Sequence, residues 1–213
     1  MVPWLKKLLV AVTVPLSVVF GVSGNLMAES PWQQSFGDVQ SLKFREADLR
    51  IPYGEHTSQF IDLWLPRSKA KEAKPTVVLI HGGCWLAQYD IAHIRPLATA
   101  ISNSGFAVWA IEYRRVGETG GGWPGTFQDI STAVDHLKEF RHPRMQKSRA
   151  VFVGHSAGGH LALWAAGRSR LDEGQELYRE HPLIPLGAVG LAAITDLKDY
   201  ARGDNSCQEV TTQ

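Results

Sequence analysis

The sequence has few cysteines and almost no net charge. Only Cys84 and Cys207 are present among 213 residues, and the formal net charge at pH 7 is +1. Two cysteines are not a disulfide framework, and no Cys-x-x-Cys motif or Cys/His cluster indicates a metal site. A balanced charge gives no electrostatic reason to expect a nucleic-acid partner. We therefore predict no metal, no cofactor and no nucleic-acid partner. A hydrophobic content of 44% is ample for a core.

Long apolar runs are also scarce, and the longest is Leu8 to Val22 near the N-terminus. Lys6 and Lys7 precede this run, and small and polar residues follow it, which is typical of a signal peptide. The run is shorter than the roughly 20 residues that a spanning helix prefers, and it contains Pro15. We expect a signal peptide over residues 1–28 and a periplasmic or secreted domain over 29–213. An uncleaved membrane anchor is the alternative.

After residue 28, segments with strand patterns alternate with segments that have helical periodicity. Two alternating segments, 42–51 and 59–65, predict a hairpin. Continuous apolar runs predict buried strands over 75–80, 106–111, 150–153 and 186–194, with helices over 91–102, from 126, and over 157–168. This order predicts an α/β fold, a three-layer sandwich with a mostly parallel twisted sheet and helices on both faces.

Two glycine-bearing motifs follow buried strands. Gly154-His-Ser-Ala-Gly158 matches G-x-S-x-G between a strand and a helix, the context of a nucleophile elbow. His81-Gly-Gly-Cys-Trp85 follows the strand over 75–80. Because the carboxyl ends of parallel strands meet at one edge of the sheet, both motifs are predicted to lie at one site.

Together these motifs resemble the α/β-hydrolase superfamily, in its carboxylesterase branch with an H-G-G-x-W loop. That branch includes feruloyl/acetyl xylan esterase-like, hormone-sensitive-lipase-like and arylformamidase-like proteins. The resemblance covers about Phe44 to Leu197, and its further matching pieces are Glu112-Tyr-Arg114 and Trp123-Pro124 with Asp129 downstream. It implies the α/β-hydrolase fold.

The resemblance also implies roles in acyl transfer. Ser156 would be the nucleophile that attacks a carbonyl carbon. Backbone N–H groups of Ala157 and of the loop Gly82-Gly83-Cys84 would form the oxyanion hole. His81 would support that loop by hydrogen bonding. Trp85 and His155 are possible pocket residues, and Asp129 is expected to be structural.

Cys84 lies in the loop assigned to the active site. For that reason we expect the two cysteines, Cys84 and Cys207, not to pair, even in an oxidising compartment.

An acid and a histidine should follow the nucleophile in this superfamily. Asp196 is the only acid at a predicted strand end after Ser156, and His160 and His181 are the only histidines there. His160 lies on the elbow helix and His181 at the wrong end of the sheet, so neither fits the base. We therefore expect a C-terminally truncated domain whose last strands are absent, which leaves an open hydrophobic edge.

The sequence thus predicts a serine carboxylesterase-type hydrolase of small esters. Ester side groups of plant polymers are the substrates that we favour. Without a histidine the chain is expected to be nearly inactive. The alternatives are a non-catalytic remnant of an esterase and an arylformamidase-like amide hydrolase. A membrane is a partner only if the N-terminal segment stays uncleaved.

Overall fold

A computed structural model describes residues 35–67 and 74–212 of the chain. The predicted signal peptide over residues 1–28 lies outside the described residues. Within the described ranges, no helix is long and apolar enough to cross a membrane.

One mixed sheet of six strands organises the fold. Its strands are β1 (Leu49–Pro52), β2 (Phe60–Trp64), β3 (Pro75–Ile80), β4 (Val108–Ile111), β5 (Gln146–His155) and β6 (Gly187–Leu191). Their order is β1-β2-β4-β3-β5-β6. The strands β1, β2 and β4 pair antiparallel, whereas β4, β3, β5 and β6 pair parallel. The predicted hairpin and mostly parallel sheet are confirmed.

Six helices lie in the described ranges. They are α1 (Phe36–Ser41), α2 (Arg95–Asn103), α3 (Gly125–Glu139), α4 (Ala157–Gly167), α5 (Leu197–Tyr200) and α6 (Ser206–Glu209). Three of them connect parallel strands, because α2 follows β3, α3 follows β4 and α4 follows β5. Short 3₁₀ turns precede α2 at Ile91–Ile94, follow α4 at Arg168–Arg170 and follow α6 at Val210–Thr212. Each predicted helix is present, and α1, in a segment without clear periodicity, was not predicted.

The strand β3 shows why two helical layers form. Its side chains alternate between faces, so Val78 and Ile80 enter one buried cluster while Val77 and Leu79 enter another. The first cluster includes residues of α3 and α4, such as Leu137 and Leu161, and the second includes residues of α2 and its 3₁₀ turn. The sheet therefore lies between helices on both faces, as the three-layer prediction requires.

The first strand is shorter than predicted. Only Leu49–Pro52 pairs with β2, although the alternation began at Leu42. Before Leu49 the backbone bonds to side chains instead: Arg45 N–H donates to Thr99 Oγ1, and Trp64 Nε1–H donates to the Arg45 carbonyl. These bonds take the segment out of the sheet.

The strand β6 is not buried as predicted. It pairs only with β5, and Leu186, Val189 and Leu191 are 57%, 44% and 42% exposed. The run is apolar, but nothing among the described residues covers this edge of the sheet. An open hydrophobic edge was predicted, and its position at β6 is confirmed.

Candidate active site

Ser156 lies in the turn between β5 and α4. Its φ of 53° and ψ of −121° are strained for a residue with a side chain. A Cβ on Gly154 would lie 2.1 Å from the Gly158 carbonyl oxygen, and one on Gly158 would lie 2.3 Å from the carbonyl oxygens of Ile80 and His81. The two flanking positions therefore admit only glycine, as the elbow motif predicts.

Backbone bonds fix the elbow to the segment that follows β6. Ser156 N–H donates to the Leu191 carbonyl at 2.9 Å, and Ile194 N–H donates to the Ser156 carbonyl at 3.4 Å. Inside α4, His160 N–H donates to the same carbonyl at 3.1 Å. Hydrogen bonds at both the N–H and the carbonyl of Ser156 thus hold its strained conformation.

The loop after β3 lies against the elbow. An ideal Cβ on Gly82 would be 3.3 Å from the Ser156 Cβ, so the two motifs are adjacent, as predicted. Gly83, Cys84 and Trp85 have φ values of 113°, 56° and 57°. Leu86 N–H donates to the Gly83 carbonyl at 2.9 Å and closes the turn. Among the residues that the structure describes, neither Gly83 N–H nor Cys84 N–H has an acceptor.

His81 is buried beneath this loop. Its Nδ1 lies 2.8 Å from the Gly82 carbonyl oxygen and its Nε2 lies 2.9 Å from Glu112 Oε1. Tyr113 stacks on the imidazole with ring centroids 4.3 Å apart, and its hydroxyl donates to the His81 carbonyl at 2.8 Å. Hydrogen bonds therefore link His81 to the loop, as predicted, and connect the loop to the end of β4.

Charged groups surround Glu112. Arg115 Nη1 lies 3.1 Å from Glu112 Oε1, and Arg115 Nε donates to Glu118 at 3.0 Å. Burial opposes ionisation of Glu118, but hydrogen bonds from Arg115 and Ser58 hold the pKa of its carboxyl below the usual value.

Asp129 has structural partners, as expected. It accepts two hydrogen bonds from the Arg114 guanidinium at 2.9 and 2.7 Å and a third from Gln59 Nε2. A carboxylate so engaged in pairing is not free to orient a histidine.

The two cysteines form a disulfide, so the expectation that they would not pair was wrong. Cys84 and Cys207 are bonded across a separation of 123 residues, with Cα atoms 4.7 Å apart. Pairing is possible because α6 packs beside the loop after β3, a proximity that the sequence did not indicate. The bond links the predicted oxyanion loop to the C-terminal segment.

A cavity of about 680 Å³ lies beside the two motifs. It is lined by Trp85, Val116, Gly121, Gly122, Trp123, Thr126, Phe127, His160, Trp164, Leu197, Val210 and Thr211. The aromatic rings meet edge to face: Phe127 lies 5.1 Å from Trp123 and 4.9 Å from Trp164 between centroids. The size and lining suit a small apolar or aromatic ligand.

Of the two predicted pocket residues, Trp85 lines this cavity and is only 7% exposed. His155 does not line it and is exposed on the surface. His160, one turn of α4 beyond Ser156, lines it instead. Burial lowers the pKa of His160, which favours the neutral imidazole.

No base for Ser156 is present in the described part of the chain. Within residues 35–67 and 74–212 the Ser156 hydroxyl has no hydrogen-bond partner. The His181 side chain is 90% exposed and lies beside Glu180. Asp196 caps α5, accepting from the N–H groups of Lys198 and Asp199. Within the described residues, the site therefore brings together a serine in a strained elbow and backbone amides without acceptors, and no histidine there pairs with the serine hydroxyl.

The family is identified by its sequence model. The family described as BD-FAE matches residues 61–212, which contain both motifs and the cavity. The chain belongs to the BD-FAE family. With the strand order and the elbow, this places it in the carboxylesterase branch of the α/β-hydrolase superfamily, as the resemblance implied.

The chain is also similar to individual proteins, among them a polyketide synthase, a formamidase and an esterase. The chain is 33% identical over 139 residues to the non-reducing polyketide synthase pkbA of Emericella nidulans, covering 60% of this chain and 5% of that protein. It is 27% identical over 128 residues to kynurenine formamidase of Danio rerio, covering 59% of this chain and 41% of the relative. The structure of esterase B from Lactobacillus rhamnosis aligns with a TM-score of 0.64 at 21% identity, over 80% of this chain and 56% of that one. The chain thus spans less than two thirds of the length of each of these relatives.

Three features of the site were not predicted from sequence. They are the disulfide, the position of His160 in the cavity, and the ion pairs around Glu112. The spacing of His160 from Ser156 could have indicated the second. The disulfide and the contact of Glu112 with His81 depend on contacts between distant segments, which no local pattern encodes. The pairs of Arg115 with Glu112 and Glu118 join residues three apart in the chain.

Proposed function

We propose that the chain carries the nucleophile and oxyanion hole of a serine carboxylesterase-type hydrolase that acts on small esters. Ser156 is the nucleophile, and the N–H groups of Gly83, Cys84 and Ala157 bind the oxyanion of the tetrahedral intermediate. The observation that carries this proposal is the contact between Gly82 and Ser156, which brings unpaired amides beside a serine in a strained elbow.

The cavity suggests where the substrate binds. It begins at Trp85, directly after the oxyanion loop, and at His160, one helical turn beyond Ser156. Acyl or alcohol groups of an ester held at Ser156 would extend into it. Acetylated or feruloylated side groups of plant polymers fit an apolar, aromatic-lined space of this kind, and export through the predicted signal peptide would bring the protein to them.

The rate should nevertheless be low, because Ser156 lacks a base in the described residues. A serine hydroxyl without a base is a weak nucleophile at neutral pH. The oxyanion hole and binding alone support rates of about 10³–10⁴ over water.

The test is hydrolysis of p-nitrophenyl acetate by the purified 213-residue chain. Slow release of p-nitrophenolate that Ser156→Ala abolishes is expected, with acetylated Ser156 detected by mass spectrometry. Ser41→Ala, on the exposed helix α1, should change nothing. Equal release by the Ser156→Ala variant would show that the elbow is non-catalytic, in agreement with the remnant alternative. Strong turnover would instead show that a base is present.

An arylformamidase-like amide hydrolase is the second candidate. Its support is the similarity to kynurenine formamidases together with the aromatic lining of the cavity. Formanilide and phenyl formate compared on the same preparation distinguish the two candidates. The esterase proposal expects cleavage of the ester only, whereas cleavage of both favours the amide hydrolase.

A further inference from the structure

We propose that His81 is an imidazolium held by the Glu112 carboxylate, and that it is a positioning residue which directs Gly83 N–H into the oxyanion hole. The role in catalysis rests on the proposed function above, whereas the charge state does not. The inference depends on which atoms face the two ring nitrogens.

Both ring nitrogens of His81 face groups that only accept hydrogen bonds. Nδ1 lies 2.8 Å from the Gly82 carbonyl oxygen, and Nε2 lies 2.9 Å from Glu112 Oε1. A neutral imidazole donates through one nitrogen and accepts through the other. In either neutral tautomer, a lone pair would therefore face an acceptor oxygen in a fully buried site. Only the imidazolium satisfies both contacts.

The alternative is a protonated Glu112 that donates to His81, and the other contacts of Glu112 disfavour it. Oε2 accepts from Ile91 N–H at 2.8 Å, and Oε1 accepts from Tyr113 N–H at 3.1 Å. Arg115 Nη1 also lies 3.1 Å from Oε1. Donors and a cation thus already face the oxygen that would have to carry the proton. These contacts stabilise the carboxylate.

The charge balance of the cluster leads to the same state. Arg115 lies between two carboxylates, Glu112 and Glu118. The side chains of Glu112 and Arg115 are only 3% and 5% exposed. With a neutral His81 the cluster would carry one uncompensated negative charge, which is costly at such burial. With an imidazolium it is neutral.

The remaining neighbours of His81 fit a cation. The Tyr113 ring stacks on it at 4.3 Å, the position in which an aromatic face attracts a positive charge. The ring of His93 lies 5.7 Å away, and burial lowers the pKa of His93 to about 4. His93 is therefore neutral at pH 7 and does not compete for the charge.

The imidazolium acts on the oxyanion loop through one peptide plane. His81 Nδ1–H binds the Gly82 carbonyl and so fixes its direction. In a trans peptide the following N–H points the opposite way, so Gly83 N–H points away from His81. That amide has no acceptor among the described residues. A charged donor also binds the carbonyl more strongly than a neutral one, which polarises the peptide.

Nitrogen-15 NMR of the histidine side chains tests the charge state. Long-range ¹⁵N–¹H correlations distinguish the imidazolium from both neutral tautomers, and the signals that vanish in His81→Asn belong to His81. We expect protons on both nitrogens of His81 at pH 7. A neutral pattern at pH 7 would overturn the proposal, and this readout requires no ester turnover.

Kinetics of Glu112→Gln test the positioning role. This variant keeps the shape but removes the charge, so His81 should become neutral. The kcat for p-nitrophenyl acetate should fall about 10- to 100-fold with little change in KM, as for a weakened oxyanion donor. Glu112→Asp, which retains the charge, should recover part of the rate. Asp62→Asn is the matched control, because it removes an equally buried carboxylate on β2 from its pair with Arg50 on β1 and should leave kcat unchanged.

Each result has one meaning. Imidazolium signals with an unchanged rate in Glu112→Gln would overturn the positioning role. If Glu112→Gln does not fold, the spectra of the unaltered protein test the charge state and the rate of Glu112→Asp tests the positioning role. A chain that cleaves no ester refutes the proposed function alone, since the NMR result remains readable.

Discussion

At the scale of single residues, backbone contacts at the elbow explain the glycines. Gly158 lies so close to the carbonyl oxygens of Ile80 and His81 that a Cβ would be 2.3 Å from each. Both contacts are with backbone, which cannot rotate away. The sequence motif therefore records a steric requirement at the junction of β3, β5 and α4.

Replacing Gly158 by Ala should consequently destabilise the protein. We expect a loss of about 2–3 kcal/mol in the free energy of unfolding, the usual cost of overpacking. Gly167→Ala is the matched control, because it lies at the other end of α4 and its Cβ would meet nothing within 4 Å. That variant should be neutral or more stable by up to about 1 kcal/mol. Urea unfolding of both measures the difference, and equal effects would contradict this account.

The residues of the site differ in how far sequence could predict them. Ser156 and its glycines follow from a local motif whose geometry is fixed within five residues. The contact of Glu112 with His81 and the bond of Cys84 with Cys207 follow from packing between segments far apart in the chain. His155 illustrates the limit, because one residue of the motif is exposed while His160, outside the motif, lines the cavity.

At the scale of elements, the disulfide joins two segments that form the site. Cys84 belongs to the loop of Gly82 and Gly83, and Cys207 belongs to α6, shortly before Val210 and Thr211 in the cavity wall. The bond thus holds the C-terminal wall of the cavity against the loop after β3.

Removing the disulfide should weaken both fold and cavity. For Cys84→Ser with Cys207→Ser we expect a loss of about 2–4 kcal/mol in unfolding free energy, because a long loop of the unfolded chain is freed. Weaker binding of an apolar probe, 1-naphthol, should accompany it. Calorimetric titration and urea unfolding measure the two effects. The reduced unaltered protein should behave like the variant. Unchanged binding of 1-naphthol in both would show that the cavity does not depend on the disulfide.

Strands and helices were predicted where burial and periodicity agree. The runs that became β3 and β4 are buried on both faces, so a continuous apolar pattern was a reliable sign. The same pattern misjudged β6, because a sequence indicates which residues favour burial but not whether a neighbour covers them. The short β1 was misjudged for a different reason, since side-chain bonds to Arg45 compete with strand pairing.

At the scale of the whole molecule, the order of elements was sufficient to predict the architecture. Each buried strand is followed by a helix, and right-handed crossovers leave few ways to arrange such units around one sheet. Half-buried histidines couple the stability of this fold to pH. His93 lies between the ring of Phe36 and that of His81, and burial lowers its pKa to about 4.

The folded protein should therefore lose stability as the pH falls from about 6.5 to about 4, the ordinary and the folded values for His93. In that window the unfolded chain binds a proton at this histidine and the folded protein does not, so the free energy of unfolding decreases with falling pH. Below about pH 4, protonation of His93 no longer changes the free energy of unfolding. Burial also lowers the pKa of His160, which therefore contributes in the same direction.

Urea unfolding between pH 4.5 and pH 6.5 tests this. His93→Gln should reduce the slope of the free energy of unfolding against pH, whereas His181→Gln should not, because the His181 side chain is 90% exposed. Identical slopes in the two variants would mean that His93 is protonated in the folded protein.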